Sequence, residues 1–275
     1  MSAQNSFLGL LRLAAILLLW ISTHTSSLEA WCALYLLTGI LGALYAFWKT
    51  SKTWDWPTCE ISSMLKDAKE GTLFSASESA RNIYNDIDKT MLGHLAGFGS
   101  AGIYGAAYRI IDVSLTPVRS ILTAAFPEMF RRGAGGLRAT YSYALTMIKR
   151  ASLAGLVICF ALLLGAPLVS MLIGSQYTDA TYAIRLLAPI PLLRCVHLFL
   201  ADALSGAGLQ RVRLMIQASV ALLNIGVNLI ILPTWSWRGA AWTSVGCDAV
   251  LALVIWLTVL MLLRTEESRT EAIGG

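Results

Sequence analysis

The chain has 275 residues, 56% of them hydrophobic and only 13% charged, with a formal net charge of +5 and a mean hydropathy of +0.65. A soluble domain carries about twice that charged fraction, so the composition describes an integral membrane protein in a lipid bilayer. The basic residues sit between apolar runs, and no Arg/Lys stripe with interleaved aromatics occurs, which excludes nucleic acid as a partner.

A helix needs about 20 apolar residues to cross a bilayer. Eight segments qualify: Phe7–Ile21, Leu28–Trp48, Met64–Leu92, Gly97–Met129, Tyr143–Ile173, Ala180–Ser205, Val212–Leu232 and Gly239–Leu263. The N-terminal run resembles a signal peptide, but a second apolar run follows almost at once, so it reads as a spanning helix. The expected fold is an all-α polytopic transmembrane helix bundle. It divides into two helices over 1–50, a cytoplasmic linker over 51–63 marked by Pro57, a six-helix lobe over 64–263, and a disordered tail over 264–275. Alternating the segments from a cytoplasmic N-terminus gathers Lys49, Lys52, Lys66, Lys69, Arg131, Arg132, Arg138, Lys149, Arg150, Arg211, Arg213, Arg264 and Arg269 on one side. Only Lys89 and Arg238 fall on the other. The positive-inside rule then places both termini in the cytoplasm.

Charge within a spanning segment costs about 2.5–3.5 kcal/mol per residue on insertion scales, and it survives facing a bundle interior or a wet cavity. The third segment carries such a face. Ser75, Ser79, Asn82, Asp86 and Lys89 step at helical spacing, and Glu78, Arg81, Asn85 and Asp88 run beside them. A helix this amphipathic would also suit the membrane surface, but Lys89 and His94 lead directly into another apolar run, which favours a spanning helix lining water. In the fourth segment Arg109, Asp112, Thr116 and Arg119 share a face, and Arg109 and Asp112 are spaced to pair locally. Tyr104 and Tyr108 lie four apart on a neighbouring face, and Pro117 is expected to kink the helix and free a backbone carbonyl. Farther on come Arg185, Arg194, His197, Asp202 and Asp248. Arg185 and Arg194 read as snorkelling toward an interface, and Asn224 and Asn228 as a hydrogen bond between helices.

No catalytic constellation emerges. The triplet Asp86-Ile87-Asp88 matches a metal-binding DxD, but on a helix residues two apart point about 200° from each other. His24, His94 and His197 are far apart in sequence, the five cysteines form no CxxC or Cys/His cluster, and no connection is long enough for a catalytic domain. The expectation is therefore no enzyme, no catalytic residue, no metal site and no cofactor.

The run "DKTMLGHLAGFGSAGIYGAAYRIID" followed by "PVRSILTAAFPEMFRRG" resembles the polysaccharide flippase branch of the multidrug/oligosaccharidyl-lipid/polysaccharide exporter superfamily. Gly102, Tyr104, Ala106 and Ala107 match its "G-x-Y-x-A-A" helix opening and Pro127 its terminating proline. Tyr177 and Ala180, then Gly208, Asn224 and Asn228, then "WRGAAWTSV" match later motifs, the last with its first glycine replaced. The resemblance spans about Gly71 to Leu263. It implies a two-lobed bundle rocking about a central cavity, with this chain supplying the end of one lobe and all of the other, and a missing N-terminal lobe or a second subunit as partner. It also implies a multi-pass protein of the cell inner membrane that translocates a polyprenyl-diphosphate-linked oligosaccharide. Cavity candidates are Arg81, Asn82, Asn85, Asp86, Asp88, Tyr104, Tyr108, Arg109, Asp112 and Arg119. The arginines suit a diphosphate, and the aspartates neutralise them or carry a coupling ion. The alternatives are a cation-coupled multidrug antiporter of the same superfamily and a membrane-embedded polysaccharide polymerase or glycosyltransferase.

Overall fold

The computed structural model describes residues 9–14, 17, 28–53, 68, 71–72, 75–76, 79, 86–174 and 178–274. Among them the chain is helical with no strand, an all-α polytopic membrane bundle. It divides into two compact units, Met1–Leu65 and Lys66–Gly275.

In the first unit α1 (Leu28–Thr53) turns Trp31, Leu36, Leu44 and Phe47 outward, as a lipid-facing helix does. Its Tyr35 ring stacks on Trp31 at 5.4 Å and receives the Arg12 guanidinium at 4.4 Å. That cation–π contact gives an arginine within an apolar run a partner.

The second unit contains α2 (86–95), α3 (Phe98–Ser114), α4 (Thr116–Gly133), α5 (Gly136–Ile173), α6 (Thr178–Leu187), α7 (Ile190–Gly206) and α8 (Gln210–Gly274). The fourth expected segment is the bent pair α3–α4, whose axes differ by 48°. The bend sits at Leu115 because Pro117 has no N–H for the Val113 carbonyl. Thr116 Oγ1 donates to that carbonyl instead, at 2.7 Å. The sixth segment breaks at Ala188–Pro189 into α6 and α7, which together still qualify as one span, Thr178–Gly206.

The helix α8 is too long for one crossing, and it is in fact two limbs. Ser236 has φ 51° and ψ −136°, outside the helical region. A Cβ placed on Gly239 would lie 2.5 Å from Ile231 Cγ2, although residues eight apart in a straight helix are separated by about 12 Å. Asn224 and Cys247, at nearly equal distances in sequence from Ser236, are hydrogen-bond neighbours. The chain therefore reverses at Ser236, separating the seventh and eighth expected segments. The second limb stays helical to Gly274, where the sequence suggested a disordered tail. Glu, Arg and Ala there are adequate helix formers, and extending an existing helix escapes the cost of nucleation.

The centre of the unit is α7, whose buried residues include Arg194, Cys195, His197, Phe199, Leu200 and Asp202. It packs most extensively on α5 and on α8. Two contacts need glycine. Gly155 of α5 faces Leu192 Cα and Cys195 Sγ, and Gly133 at the end of α4 faces the Gly206 carbonyl at the end of α7. Close backbone approach of this kind is how helices associate in lipid, where apolar burial supplies little drive.

Candidate polar site within the bundle

The site is built where α2, α3, α7 and the second limb of α8 meet. Tyr104, Ala107, Tyr108 and Ile111 form the buried face of α3 at helical spacing, so the two phenols point into the bundle with ring centroids 5.5 Å apart. Tyr104 donates a short hydrogen bond to Asp88 Oδ2, and Ser244 Oγ donates to the same oxygen at 3.0 Å. Tyr104 and Ser244 also lie 2.7 Å from each other, and the Lys89 amide donates to Asp88 Oδ1 at 2.8 Å. A carboxylate only 1% exposed is thus satisfied from three elements.

Tyr108 links this group to a second one. Its ring lies under the Lys89 ammonium at 4.1 Å, and its hydroxyl accepts a short hydrogen bond from Arg194 Nη2. Lys89 also pairs with Asp86 at 2.6 Å. Arg194 Nε donates to Asp248 Oδ2 at 3.4 Å, and its Nη1 lies 3.7 Å from Asp112 Oδ1, which accepts from Arg119 Nη2 at 3.0 Å. His197 Nε2 lies 3.3 Å from Asp248 Oδ1 without the alignment of a hydrogen bond.

Of the residues singled out in the sequence, Asp88, Tyr104, Tyr108, Asp112 and Arg119 belong to this connected network, with Asp86 at its exposed edge. Asp86 is exposed and Asp88 buried, the divergence expected of helix neighbours two apart. Arg109 is exposed and makes no ion pair among the described residues. Asp112 pairs instead with Arg119 across the bend and with Arg194 of α7. Arg81, Asn82 and Asn85 lie outside the described residues, as does Tyr177. Arg194 is 4% exposed, so it does not snorkel: Asp248 and Tyr108 hold it inside. Asn228 donates to Asn224 at 3.0 Å along one helix rather than between two.

The site selection missed Arg194, His197, Ser244 and Asp248. Asp248 had a usable signal, a lone carboxylate inside an apolar limb, which demands a buried partner. Ser244 had none. A separate buried pair closes the α7–α8 turn, where Arg213 Nη1 reaches Asp202 at 3.3 Å and Ser205 at 2.7 Å. Arg213 therefore packs inside the unit although it was counted with the surface basic residues. Among the described residues no three His, Cys, Asp or Glu side chains are grouped to hold a metal ion.

A stripe of polar residues also lies exposed along the bent pair: Arg109, partly Asp112, then Thr116, Arg119, Ser120 and Thr123. Thr116, Arg119, Ser120, Thr123 and Ala124 line an open cavity of about 540 Å³. Neither Arg109 nor the hydroxyl row suits contact with hydrocarbon.

Residues 2–132 match the family model described as "Polysaccharide biosynthesis protein". No curated protein matches the chain. Among solved structures, an inward-facing multidrug resistance MATE family transporter of the MOP superfamily aligns with TM-score 0.74 and 20% identity, over 95% of this chain and 64% of that one. The outward-facing form aligns with TM-score 0.71 and 20% identity, over 94% and 61%. A MOP superfamily transporter from Pyrococcus furiosus, described as having a binding pocket of reverse polarity that suggests a different function, aligns with TM-score 0.70 and 20% identity, over 92% and 60%. The chain thus spans about three fifths of the length of these transporters. A little under half of the chain matches that family model, and the chain shares its fold with these MOP superfamily transporters.

Proposed function

We propose that the chain forms part of the translocation path for a polyprenyl-diphosphate-linked oligosaccharide in a multi-pass protein of the inner membrane. The observation that carries this reading is the exposed stripe on α3 and α4, where two arginines stand among hydroxyls. Hydroxyls suit a hydrated sugar, and guanidinium groups suit phosphate through paired, charge-assisted hydrogen bonds. The family description supports a polysaccharide role. The site residues divide by task. Arg109 and Arg119 meet the anion, Asp112 tethers Arg119, and the Asp88–Tyr104–Ser244 group locks α2 and α3 to α8. Asp86, at the exposed edge of the network, extends the polar wall on α2, and Arg81, Asn82 and Asn85 are candidates for the same path by their sequence spacing alone.

One observation favours the second reading, a cation-coupled multidrug antiporter. The internal network holds Asp86, Asp88, Asp112 and Asp248 against Lys89, Arg119 and Arg194, with two tyrosines between, an acidic and aromatic balance that suits a cation. Its buried acids, however, are already bonded to donors from the protein, whereas the exposed stripe is cationic. The discriminating experiment reconstitutes the chain in vesicles with a fluorescent short-prenyl-diphosphate oligosaccharide in one leaflet and a lipophilic cationic dye in the lumen. Movement of the glycolipid without the dye supports the first reading, and movement of the dye without the glycolipid refutes it in favour of the second.

A further inference from the structure

The reversal in α8 creates a second cavity, lined by residues outside the polar network. Ser236 sits at φ 51° and ψ −136°, the first central position of a type II′ turn, which glycine normally fills. The strain is held by a hydrogen bond from Ser236 Oγ to Ser100 Oγ at 2.7 Å, tying the turn to the first turn of α3. Thr234, Trp235, Ser236, Trp237, Arg238 and Trp242 line a cavity there of about 550 Å³, open to the surface. Trp237 is buried, while Trp235 and Trp242 are 60% and 57% exposed. Arg238 is exposed, makes no ion pair among the described residues, and rests over the Trp237 ring at 5.3 Å.

The position of this cavity in the membrane follows from the fold. The α4–α5 and α7–α8 turns meet at the Gly133–Gly206 contact and carry Arg131, Arg132, Arg138 and Arg211. A limb running from Gln210 to the reversal rises by about 1.5 Å per residue, so Ser236 lies near the opposite face of the hydrocarbon layer. Tryptophans at that depth sit among lipid headgroups. Leu229 and Ile230, one to two turns before the cavity, are exposed apolar residues, so acyl chains have a surface to lie along below it. A cation without a carboxylate partner, at headgroup depth and above a lipid-facing surface, is complementary to a lipid phosphate. An aromatic belt alone would anchor the helix without regard to headgroup charge.

We propose that this cavity binds the phosphate of an anionic glycerophospholipid. Arg238 takes two phosphate oxygens, and Trp235 and Trp242 flank the glycerol region. The site is independent of the transported substrate.

The test uses the purified chain in mild detergent and reads quenching of tryptophan fluorescence by acyl-brominated phosphatidylglycerol or phosphatidylcholine. A Trp235→Phe/Trp242→Phe protein isolates the local signal from lipid bound at the basic end. Phosphatidylglycerol should quench that signal at a concentration at least threefold lower than phosphatidylcholine. Arg238→Gln should abolish the preference with the unfolding midpoint unchanged, and Arg238→Lys should keep part of it. Equal quenching by the two lipids, or an undiminished preference in Arg238→Gln, overturns the proposal. Displacement of phosphatidylglycerol by millimolar inorganic phosphate marks the site as one for free phosphate, and displacement by a soluble neutral oligosaccharide marks it as a sugar site. Either result overturns the lipid assignment.

Discussion

Adding one methyl group at Gly133 tests the helix crossing that holds α4 to α7. A Cβ there would lie 1.9 Å from the Gly206 oxygen and 2.7 Å from its carbonyl carbon. Carbon and oxygen settle at about 3.3–3.6 Å when in favourable contact, so the helices would have to part by more than about 1 Å. No side chain can rotate away, because the obstructing atoms are backbone. The reverse placement is equally closed, since a Cβ on Gly206 would lie 2.6 Å from Met129 O and 2.9 Å from Met129 C. Overpacking of this kind costs about 1–3 kcal/mol and occasionally more, and here it also strains the buried Asp202–Arg213 pair beside the turn. Gly133→Ala and Gly206→Ala should each lower unfolding free energy in detergent by at least about 1 kcal/mol. The double variant should lose less than the sum, because once the helices have separated the second methyl meets little. Gly105→Ala, with nothing within 4 Å of the new carbon, is the control. If Gly133→Ala unfolds within about 0.5 kcal/mol of Gly105→Ala, the crossing is not as close as described and the reasoning fails.

Tyr104→Phe removes one donor from the buried Asp88 carboxylate and should cost about 1–3 kcal/mol; Ser244→Ala should cost less, and strictly additive losses in the double variant would show that the two do not share that oxygen. Arg194→Gln leaves Asp248 buried without its cation and should cost about 3–5 kcal/mol. Adding Asp248→Asn should recover part of that loss, and no recovery in chemical unfolding would refute the pair. Ser236→Gly relieves a backbone strain of about 1–3 kcal/mol against one lost hydrogen bond of about 0.5–1.5 kcal/mol. It should match or exceed the parent in stability while Ser236→Val falls about 1 kcal/mol or more below it, and equal values for the two would contradict the strain. Arg109→Ala removes an exposed side chain with no described ion pair and should leave stability within about 0.5 kcal/mol. The same change should slow glycolipid movement in vesicles at least tenfold, and an unchanged rate would remove Arg109 from the path.

Helices and apolar spans were legible because both are local properties: a run of about 20 apolar residues and a 3.6-residue period are visible without any partner. The bend before Pro117 was legible for the same reason, since the missing N–H and the carbonyl it orphans lie four residues apart. Pairing was not. Arg109 and Asp112 have the spacing of a helical ion pair, yet the bend at Leu115 swings Arg119 back onto Asp112, and α7 brings Arg194 to the same oxygen. Arg194 read as a snorkelling residue because a long basic side chain within an apolar run can reach toward an interface. Its fate was decided by α7 being the helix that others surround, a fact of tertiary packing.

The same distinction bears on what a substrate meets. A count of charges in the sequence balances arginines against aspartates and leaves the two transport readings level. The fold separates the charges by accessibility. Asp88 and Asp248 are each 1% exposed and bonded to Tyr104, Ser244 or Arg194, so their negative charge is largely consumed within the protein. Arg109 and Arg119 remain on the exposed stripe, and Arg119 shares with Arg194 the single half-exposed carboxylate of Asp112. The exposed stripe on α3 and α4 is thus more cationic than the charge count of the sequence, and that residual charge is the ground on which we propose a phosphate-bearing substrate over a cationic drug.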